Sequence, residues 1–150
     1  ERILLILLYL TGARPSELIL LKTKDFRIQN DLLIVDIITK KHGITRSLPF
    51  YLSTAYINEV ISYVEKLKEK GIENIFKFKT PDRIKQIVYE VSEGKFCPYS
   101  FRHSRLTKLG MSGANMFELM VWKGAKTASS VEEYLYRSPA ALEKFKDKIE

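Results

Sequence analysis

Residues 25–50, DFRIQNDLLIVDIITKKHGITRSLPF, predict a small antiparallel sheet. Three runs rich in β-branched and apolar residues have the length of strands: Asp25–Ile28, Leu32–Ile38 and Arg46–Phe50. The polar turn Gln29-Asn30-Asp31 separates the first two runs, and a turn over His42-Gly43 leads to the third. Because both connections are short, we expect neighbouring strands to run antiparallel.

Outside this sheet, apolar residues recur at helical spacing. The predicted helices are Ile3–Leu10, one that begins at Pro15, one capped by Ser53 and ended by Gly71, one that opens at Thr80-Pro81-Asp82, one from Pro98 to Leu109, Asn115–Trp122, Ser129–Tyr136 and one that begins at Pro139. We therefore expect an α+β fold that is mainly α-helical, with one small three-stranded antiparallel sheet. Its 150 residues suit a single domain over residues 1–150.

The charge of the chain favours a polyanionic partner, either nucleic acid or an acidic membrane surface. The formal net charge is +7, and residues 76–108 hold eight basic residues against three acidic ones. A solvated lysine-rich surface is the alternative explanation. No apolar run reaches the roughly 18 residues of a membrane helix, so we expect no membrane span. The single cysteine, Cys97, excludes an internal disulfide and favours a reducing, intracellular setting.

Four short segments hold residue types suited to binding a phosphate. In the first, TGARPSEL over residues 11–18, Arg14 lies in a turn before a helix that begins at Pro15. The free N–H groups at such a helix end favour an anion, and a guanidinium adds bidentate recognition. A salt bridge between Arg14 and Glu17 is the structural alternative. The other segments are KKHGITRSLP over 40–49, PYSFRHS over 98–104 and TASSVEEY over 127–134.

Together these segments resemble the sequence boxes of tyrosine recombinases, in the same order and over essentially the whole chain. Gly-x-Arg-x-x-Glu-Leu at residues 12–18 resembles the first arginine box, and the lysines at 40 and 41 resemble the lysine hairpin. Tyr-x-Phe-Arg-His at residues 99–103 resembles the second arginine box. The Thr- and Ser-rich stretch before Tyr134 resembles the nucleophile box. The resemblance implies the tyrosine recombinase catalytic core.

The resemblance also implies a mechanism of DNA strand cleavage and rejoining. Tyr134 would attack the scissile phosphate, form a 3′-phosphotyrosyl bond and release a 5′-hydroxyl, with Tyr136 as the rival nucleophile. Arg14 and Arg102 would stabilise the transition state, with no metal or other cofactor. Two nearby guanidinium groups are expected to favour the phenolate form of the nucleophile.

A leaving 5′-oxygen needs a proton, and the resemblance assigns this role to a lysine of the hairpin. Lys41 is the first choice for this general acid, because it lies eight residues before Pro49, and Lys40 is the alternative. Further contacts to DNA are expected from basic side chains near the boxes: Lys40, Arg46, His103, Arg105, Lys123 and Lys126.

Two accessory positions depart from the family pattern. Tyr99 stands where the family has a histidine; it can donate a hydrogen bond to a phosphate oxygen but supplies no positive charge. Ala125 lies nine residues before Tyr134, where the family has a histidine or tryptophan. Three neighbours are candidates to replace that group: Trp122, Lys123 and Lys126.

The resemblance further implies that the protein assembles as a dimer or tetramer on double-stranded DNA. Residues Pro139–Glu150 are predicted to form an amphipathic helix, which docks either onto a neighbouring subunit or onto its own domain. The chain opens at Glu1 inside an apolar helix, so we expect a fragment that lacks the N-terminal core-binding domain. The expected location is the cytoplasm, at the nucleoid or as a virus-encoded protein in a host.

Two other functions compete with recombination. A type IB topoisomerase shares the same cleavage chemistry. A catalytically inactive DNA-binding domain is the other alternative, because both accessory histidine positions are altered.

Overall fold

A computed structural model describes residues 1–39 and 43–136, except the side chain of Tyr136. Within these ranges the chain forms seven α-helices, two short 3-10 helices and three strands. The helices are α1 (Arg2–Thr11), α2 (Pro15–Leu18), α3 (Ile57–Glu69), α4 (Pro81–Val91), α5 (Pro98–Met111), α6 (Met116–Lys123) and α7 (Glu132–Tyr136). The strands are β1 (Phe26–Gln29), β2 (Leu32–Thr39) and β3 (Ile44–Tyr51). The predicted α+β, mainly helical fold is confirmed.

The three strands form one antiparallel sheet in the order β1-β2-β3. Gln29 pairs with Leu32, so two residues turn the chain here, one fewer than predicted. Asn30 adopts a left-handed φ of 56°, which asparagine tolerates better than most residues and which suits a tight hairpin. The third strand begins at Ile44, two residues before its predicted start.

The main core lies between the sheet, α1, α3 and α4. Helix α1 is apolar on nearly every side, and its Leu4, Leu7 and Leu8 are almost completely buried. Alternate residues of β2 point at the same core, with Leu33, Val35 and Ile37 the most buried. Burial of α1 fixes the position of the turn that follows it, which carries Arg14.

The predicted N-cap at Ser53 is wrong, because the chain first makes two turns after β3. Thr54 N–H donates to the Tyr51 carbonyl at 2.9 Å, and Ile57 N–H donates to the Thr54 carbonyl at 3.2 Å. Helix α3 therefore begins at Ile57, and its N-cap is Tyr56, which has a left-handed φ of 71°.

A second, smaller core joins α5, α6 and α7. Its buried members are Leu106, Leu119, Val131 and Tyr134. The predicted helix Ser129–Tyr136 is divided into a 3-10 helix over Ala128–Ser130 and the short α7. This division places Tyr134 against α5. The predicted helix at Pro139 lies outside the described residues, and no described helix is long and apolar enough to cross a bilayer.

Candidate active site

Arg14 lies at the start of α2, and hydrogen bonds of the backbone N–H groups before it and at it fix its position. Gly12 ends α1 with a left-handed φ of 62°, and its N–H donates to the Leu8 carbonyl at 2.9 Å. Glu17 Oε1 accepts the Arg14 backbone N–H at 2.8 Å. Arg14 is half-buried. Among the residues that the structure describes, none forms a hydrogen bond or ion pair with its guanidinium, so these residues leave its donors open to a ligand.

Arg102 approaches the same turn from α5. It is 6% exposed, and its guanidinium donates to the carbonyls of Gly12 at 3.0 Å and Lys123 at 2.6 Å. Burial, and then the positive charge of Arg14, lower the pKa of Arg102 to about 10, so it remains charged at neutral pH. Because Arg102 contacts Gly12, two residues before Arg14, the two arginines lie on the same side of the fold.

Lys123 is the third cation of this cluster. Its Nζ donates to the Ser130 carbonyl at 2.7 Å. Burial lowers the pKa of Lys123, and the positive charges of Arg102 and Arg14 lower it further. The candidates to replace the histidine or tryptophan that the family has at position 125 are Trp122, Lys123 and Lys126. Of these, Lys123 is the one whose pKa both arginines affect.

Tyr134 is packed beside the cations rather than presented to solvent. Tyr134 is 4% exposed, its hydroxyl lies 3.3 Å from His103 Nδ1, and Lys123 Nζ lies 6.0 Å from its ring centroid. Burial and the neighbouring Glu133 raise the pKa of Tyr134, while Arg102 lowers it by less. Arg102 thus favours the phenolate as expected, but desolvation of the phenol outweighs its charge, and the net pKa of Tyr134 is raised instead of lowered.

Tyr99 and His103 lie one helical turn apart on α5, so their side chains share a face. The two rings stack with centroids 6.0 Å apart and planes 25° apart. Tyr99 is 63% exposed, which leaves its hydroxyl accessible to a ligand, whereas His103 is half-buried between Tyr99 and Tyr134. His103 thus contacts the nucleophile candidate directly.

Arg46 was predicted to contact DNA, and its burial contradicts this. It is 3% exposed and forms a buried ion pair with Glu17, at 2.5 Å (Nη1–Oε2) and 3.0 Å (Nη2–Oε1). Its Nε donates to the Trp122 carbonyl at 2.8 Å, and Nη1 also donates to Thr39 Oγ1 at 2.8 Å. Strand alternation is the physical reason, because it places Arg46 on the inward face of β3 with Leu48.

The Glu17–Arg46 pair joins three parts of the site. Glu17 holds the Arg14 turn, Arg46 holds the end of α6, and both contact Thr39 at the end of β2. A Glu17–Arg14 salt bridge, the alternative considered from sequence, is replaced by this pairing. Lys40 and Lys41 follow Thr39 directly but lie outside the described residues.

Three further candidates have different surroundings. Trp122 is a candidate phosphate contact from the sequence, but its indole is already engaged. Nε1 donates to the Thr11 carbonyl at 2.9 Å, and the ring packs edge-on against Phe50. Arg105 donates twice to the Tyr9 carbonyl, at 2.7 and 2.9 Å, and covers the Tyr9 ring, so it joins α5 to α1 instead of extending the cation cluster. Lys126 is exposed, and its contact to DNA stays a prediction.

The family model for the phage integrase family matches residues 1–140. The chain belongs to the phage integrase family. No curated protein sequence matches it significantly.

Solved structures of recombinases share the fold of this integrase-family chain. It is similar to the XerA recombinase, with a TM-score of 0.71 and 18% identity over 95% of this chain and 55% of that one. For the XerH recombinase bound to a palindromic difH substrate, the TM-score is 0.66 and the identity 17%, over 94% and 43%. For the catalytic domain of bacteriophage HP1 integrase the values are 0.63 and 19%, over 97% and 79%. The chain thus spans about half the length of the two Xer recombinases.

The integrase-family site carries an excess of positive charge. The charges that act on one another here are the cations Arg14, Arg46, Arg102 and Lys123 and the carboxylates Glu17 and Glu133. Glu17 is already bonded to Arg46, and Glu133 is exposed, so the buried side of the cluster is cationic. Like charges held close together at low dielectric favour an anion between them. The cluster is therefore suited to an anion that offers hydrogen-bond acceptors.

The buried ion pair predicts an acid-dependent loss of stability. Burial alone would raise the pKa of Glu17, but the hydrogen bonds and charge of Arg46 outweigh it, and the net pKa is lowered. A carboxylate with a lowered folded-state pKa contributes stability that is complete above its unfolded pKa of about 4.3 and is lost as the pH falls through the folded value. The urea midpoint of the wild-type protein should therefore fall below about pH 4 more steeply than that of Glu17→Gln. Parallel curves for the two proteins would show that the pair does not titrate as described.

Proposed function

We propose that this chain is the catalytic domain of a site-specific recombinase that cuts and rejoins double-stranded DNA through Tyr134. The observation that carries the proposal is the convergence of Arg14, Arg102 and Tyr134, which come from the turn between α1 and α2, from α5 and from α7. The family membership and the recombinase fold support the same activity.

Electrostatics supplies the first part of the mechanism. When a phosphodiester is attacked, negative charge gathers on its non-bridging oxygens, and fixed donors that meet those oxygens lower the barrier. The free donors of Arg14 and the buried guanidinium of Arg102 would hold these oxygens, with the exposed hydroxyl of Tyr99 as a further donor. Lys123 would add positive charge where the family pattern has a histidine or tryptophan.

Covalent catalysis supplies the second part. The Tyr134 oxygen forms a bond to phosphorus as the bond to the 5′-oxygen breaks, which leaves a 3′-phosphotyrosyl enzyme and a 5′-hydroxyl. His103 Nδ1 lies 3.3 Å from the phenol oxygen, and in the tautomer that carries its proton on Nε2 it would accept the phenol proton. The 5′-hydroxyl of a partner strand then reverses the step, so the phosphodiester bond is conserved and no nucleotide cofactor is consumed.

The proton on the leaving group is assigned to Lys41. Lys41→Ala should slow cleavage of ordinary DNA by roughly 10²–10⁴-fold, the usual contribution of a general acid. A substrate with sulfur in place of the 5′-bridging oxygen should restore the rate, because a thiolate leaves without a proton. Cleavage is measured by single-turnover formation of the covalent adduct.

Lys40→Ala is the matched control for the neighbouring lysine. It should weaken DNA binding without a large change in cleavage at saturating DNA, and sulfur substitution should not alter its behaviour. If sulfur rescues Lys40→Ala and leaves Lys41→Ala impaired, the two assignments must be exchanged.

DNA binding without cleavage is the second candidate function. Ala125, the substitution of Tyr99 for a histidine and the burial of the Tyr134 ring all favour it. A protein of this kind would bind DNA with a strong salt dependence and form no covalent adduct. A type IB topoisomerase, by contrast, would form the adduct and relax supercoiled DNA without exchanging strands.

The experiment that separates these functions is covalent capture on DNA. A pool of nicked duplexes of random sequence is incubated with the protein in EDTA, because the DNA site is not known. The nick lets the short 5′-hydroxyl fragment diffuse away, which traps the adduct. We expect a band on a denaturing gel that carries both protein and DNA, and sequencing of the captured DNA should give a preferred site. Absence of the band, with DNA binding intact, would leave DNA binding as the function.

Assembly and location complete the proposal. The chain is expected to act as a dimer or tetramer on DNA, with residues 139–150 as the contact between subunits. It is expected to act in the cytoplasm, at the nucleoid or in the host of a virus. Sedimentation of the protein with and without the captured DNA site would test the assembly, and a monomer on that DNA would reject it.

A further inference from the structure

We propose that Gly110 is a positioning residue for the nucleophile: its missing side chain lets the backbone of α7 lie directly against α5, which holds Tyr134 beside the cations. This inference rests on the proposed function, because it takes Tyr134 as the nucleophile. It adds a residue that lies outside all four sequence boxes.

The location of Gly110 gives the first reason. It is buried inside the last turn of α5, and its backbone is helical and does not have the left-handed φ that favours glycine. Glycine is a poor helix former, and alanine would suit this local conformation better. Local backbone conformation therefore does not explain a glycine at position 110, and the explanation must lie in how its neighbours pack.

The packing against α7 supplies that reason. A Cβ built at Gly110 would lie closer to the Tyr134 carbonyl oxygen than real Cβ atoms approach, and only 3.2 Å from the carbonyl carbon. It would also lie 3.4 Å from the Cβ of Tyr134. Two of these three atoms belong to the backbone of the nucleophile itself, so no rotation of a flexible side chain can relieve the contact. A methyl group at position 110 must push α7 away from α5.

The contact determines where the phenol lies. Tyr134 reaches His103 through a ring packed on α5, and His103 belongs to the same helix as Gly110. A shift of α7 would therefore change the distance from the phenol oxygen to both His103 and the cations. Misplacement of a reacting group by about 1 Å costs on the order of a hundredfold in rate.

Gly110→Ala in the full chain tests the proposal with two readouts. The first is the covalent adduct formed on the captured DNA site, which should fall by roughly tenfold to a hundredfold while DNA binding is kept. The second is the alkaline titration of the Tyr134 phenol, obtained as the absorbance difference between each protein and its Tyr134→Phe derivative. Because burial raises the pKa of this phenol, displacement of α7 should move the titration down towards about 10.

Gly71→Ala is the matched control. Gly71 has a left-handed φ of 70°, and a Cβ there meets nothing within 4 Å. The same substitution at this position strains the backbone without touching α7. It should lower the urea midpoint but leave the adduct yield and the phenol titration as in the wild type.

The outcomes decide separately on Gly110 and on the nucleophile. A wild-type phenol titration in Gly110→Ala would overturn the proposal, and so would a shifted titration with an unchanged adduct yield. An adduct that persists in Tyr134→Phe would reject the proposed nucleophile, whatever the titration shows. If Gly71→Ala and Gly110→Ala lose the adduct equally, the loss comes from general destabilisation of the protein, and the proposal is overturned.

Discussion

Tyr134→Phe is expected to abolish the covalent protein–DNA adduct, with a loss on the order of a thousandfold or more. The substitution removes the oxygen that bonds to phosphorus but keeps the ring that fills the space between α5 and α6. The stability and DNA affinity of the protein should therefore change little. Adduct yield is measured on a denaturing gel, and affinity by gel shift at the same salt concentration.

Tyr136→Phe is the control, because it removes the same atom two residues further along α7. We expect it to keep the adduct. If instead Tyr136→Phe loses the adduct and Tyr134→Phe retains it, the nucleophile is Tyr136. If both variants lose the adduct, unfolding curves will show which of them has also lost stability, and the variant that stays as stable as the wild type identifies the nucleophile.

Arg46→Met is expected to destabilise the protein by about 3–5 kcal/mol, because it leaves the carboxylate of Glu17 buried without its partner. This loss is a large fraction of the stability of an ordinary domain. It is measured as the change in the free energy of unfolding by urea. The double variant Glu17→Leu/Arg46→Met replaces both charges by apolar groups and should recover most of the loss.

The exposed pair of Arg27 and Asp36 provides the comparison. It joins neighbouring strands of the same sheet, but its side chains are 47% and 21% exposed. Arg27→Met should therefore cost less than about 1 kcal/mol. Equal effects of Arg46→Met and Arg27→Met would contradict the burial described here. A double variant less stable than Arg46→Met would show that the bonds of Glu17 to the Arg14 N–H and to Thr39 stabilise the fold more than its unpaired carboxylate destabilises it.

The fold was largely predictable because its local signals agree with one another. The polar turn around Asn30 and the glycine at position 43 separate runs of strand-forming residues, and Pro81 and Pro98 both occupy the first turn of their helices. Ser53 failed as a predicted cap for a local reason as well. The turns after β3 use the residues up to Tyr56, and hydrogen bonds of this kind leave no periodic pattern in the sequence.

Candidates for the site could be predicted from the sequence, but their contacts could not. The boxes single out Arg14, Arg102 and Tyr134 as candidates, and the structure brings the two arginines together. Arg46 was misassigned although the sequence held a signal, because strand alternation places it on the core side with Leu48 and Phe50. A buried arginine on that face requires a buried acid, and Glu17 is its partner.

Long-range packing explains what the sequence could not provide. The raised pKa of Tyr134 depends on how α7 lies against α5, and nothing in the segment before Tyr134 indicates that contact. The stacking of Tyr99 on His103 was accessible from their four-residue spacing on one helix. The contact of His103 with the Tyr134 hydroxyl joins residues 31 positions apart, and only the structure reveals it.

The most direct test is to identify the amino acid and the DNA end joined in the captured adduct. The adduct is digested with protease and nuclease, and the peptide that retains a nucleotide is sequenced by mass spectrometry. We predict a nucleotide attached through its 3′-phosphate to Tyr134, formed in the wild type and lost in Arg102→Met. A nucleotide on another residue, or one linked through a 5′-phosphate, would contradict the role of this cluster.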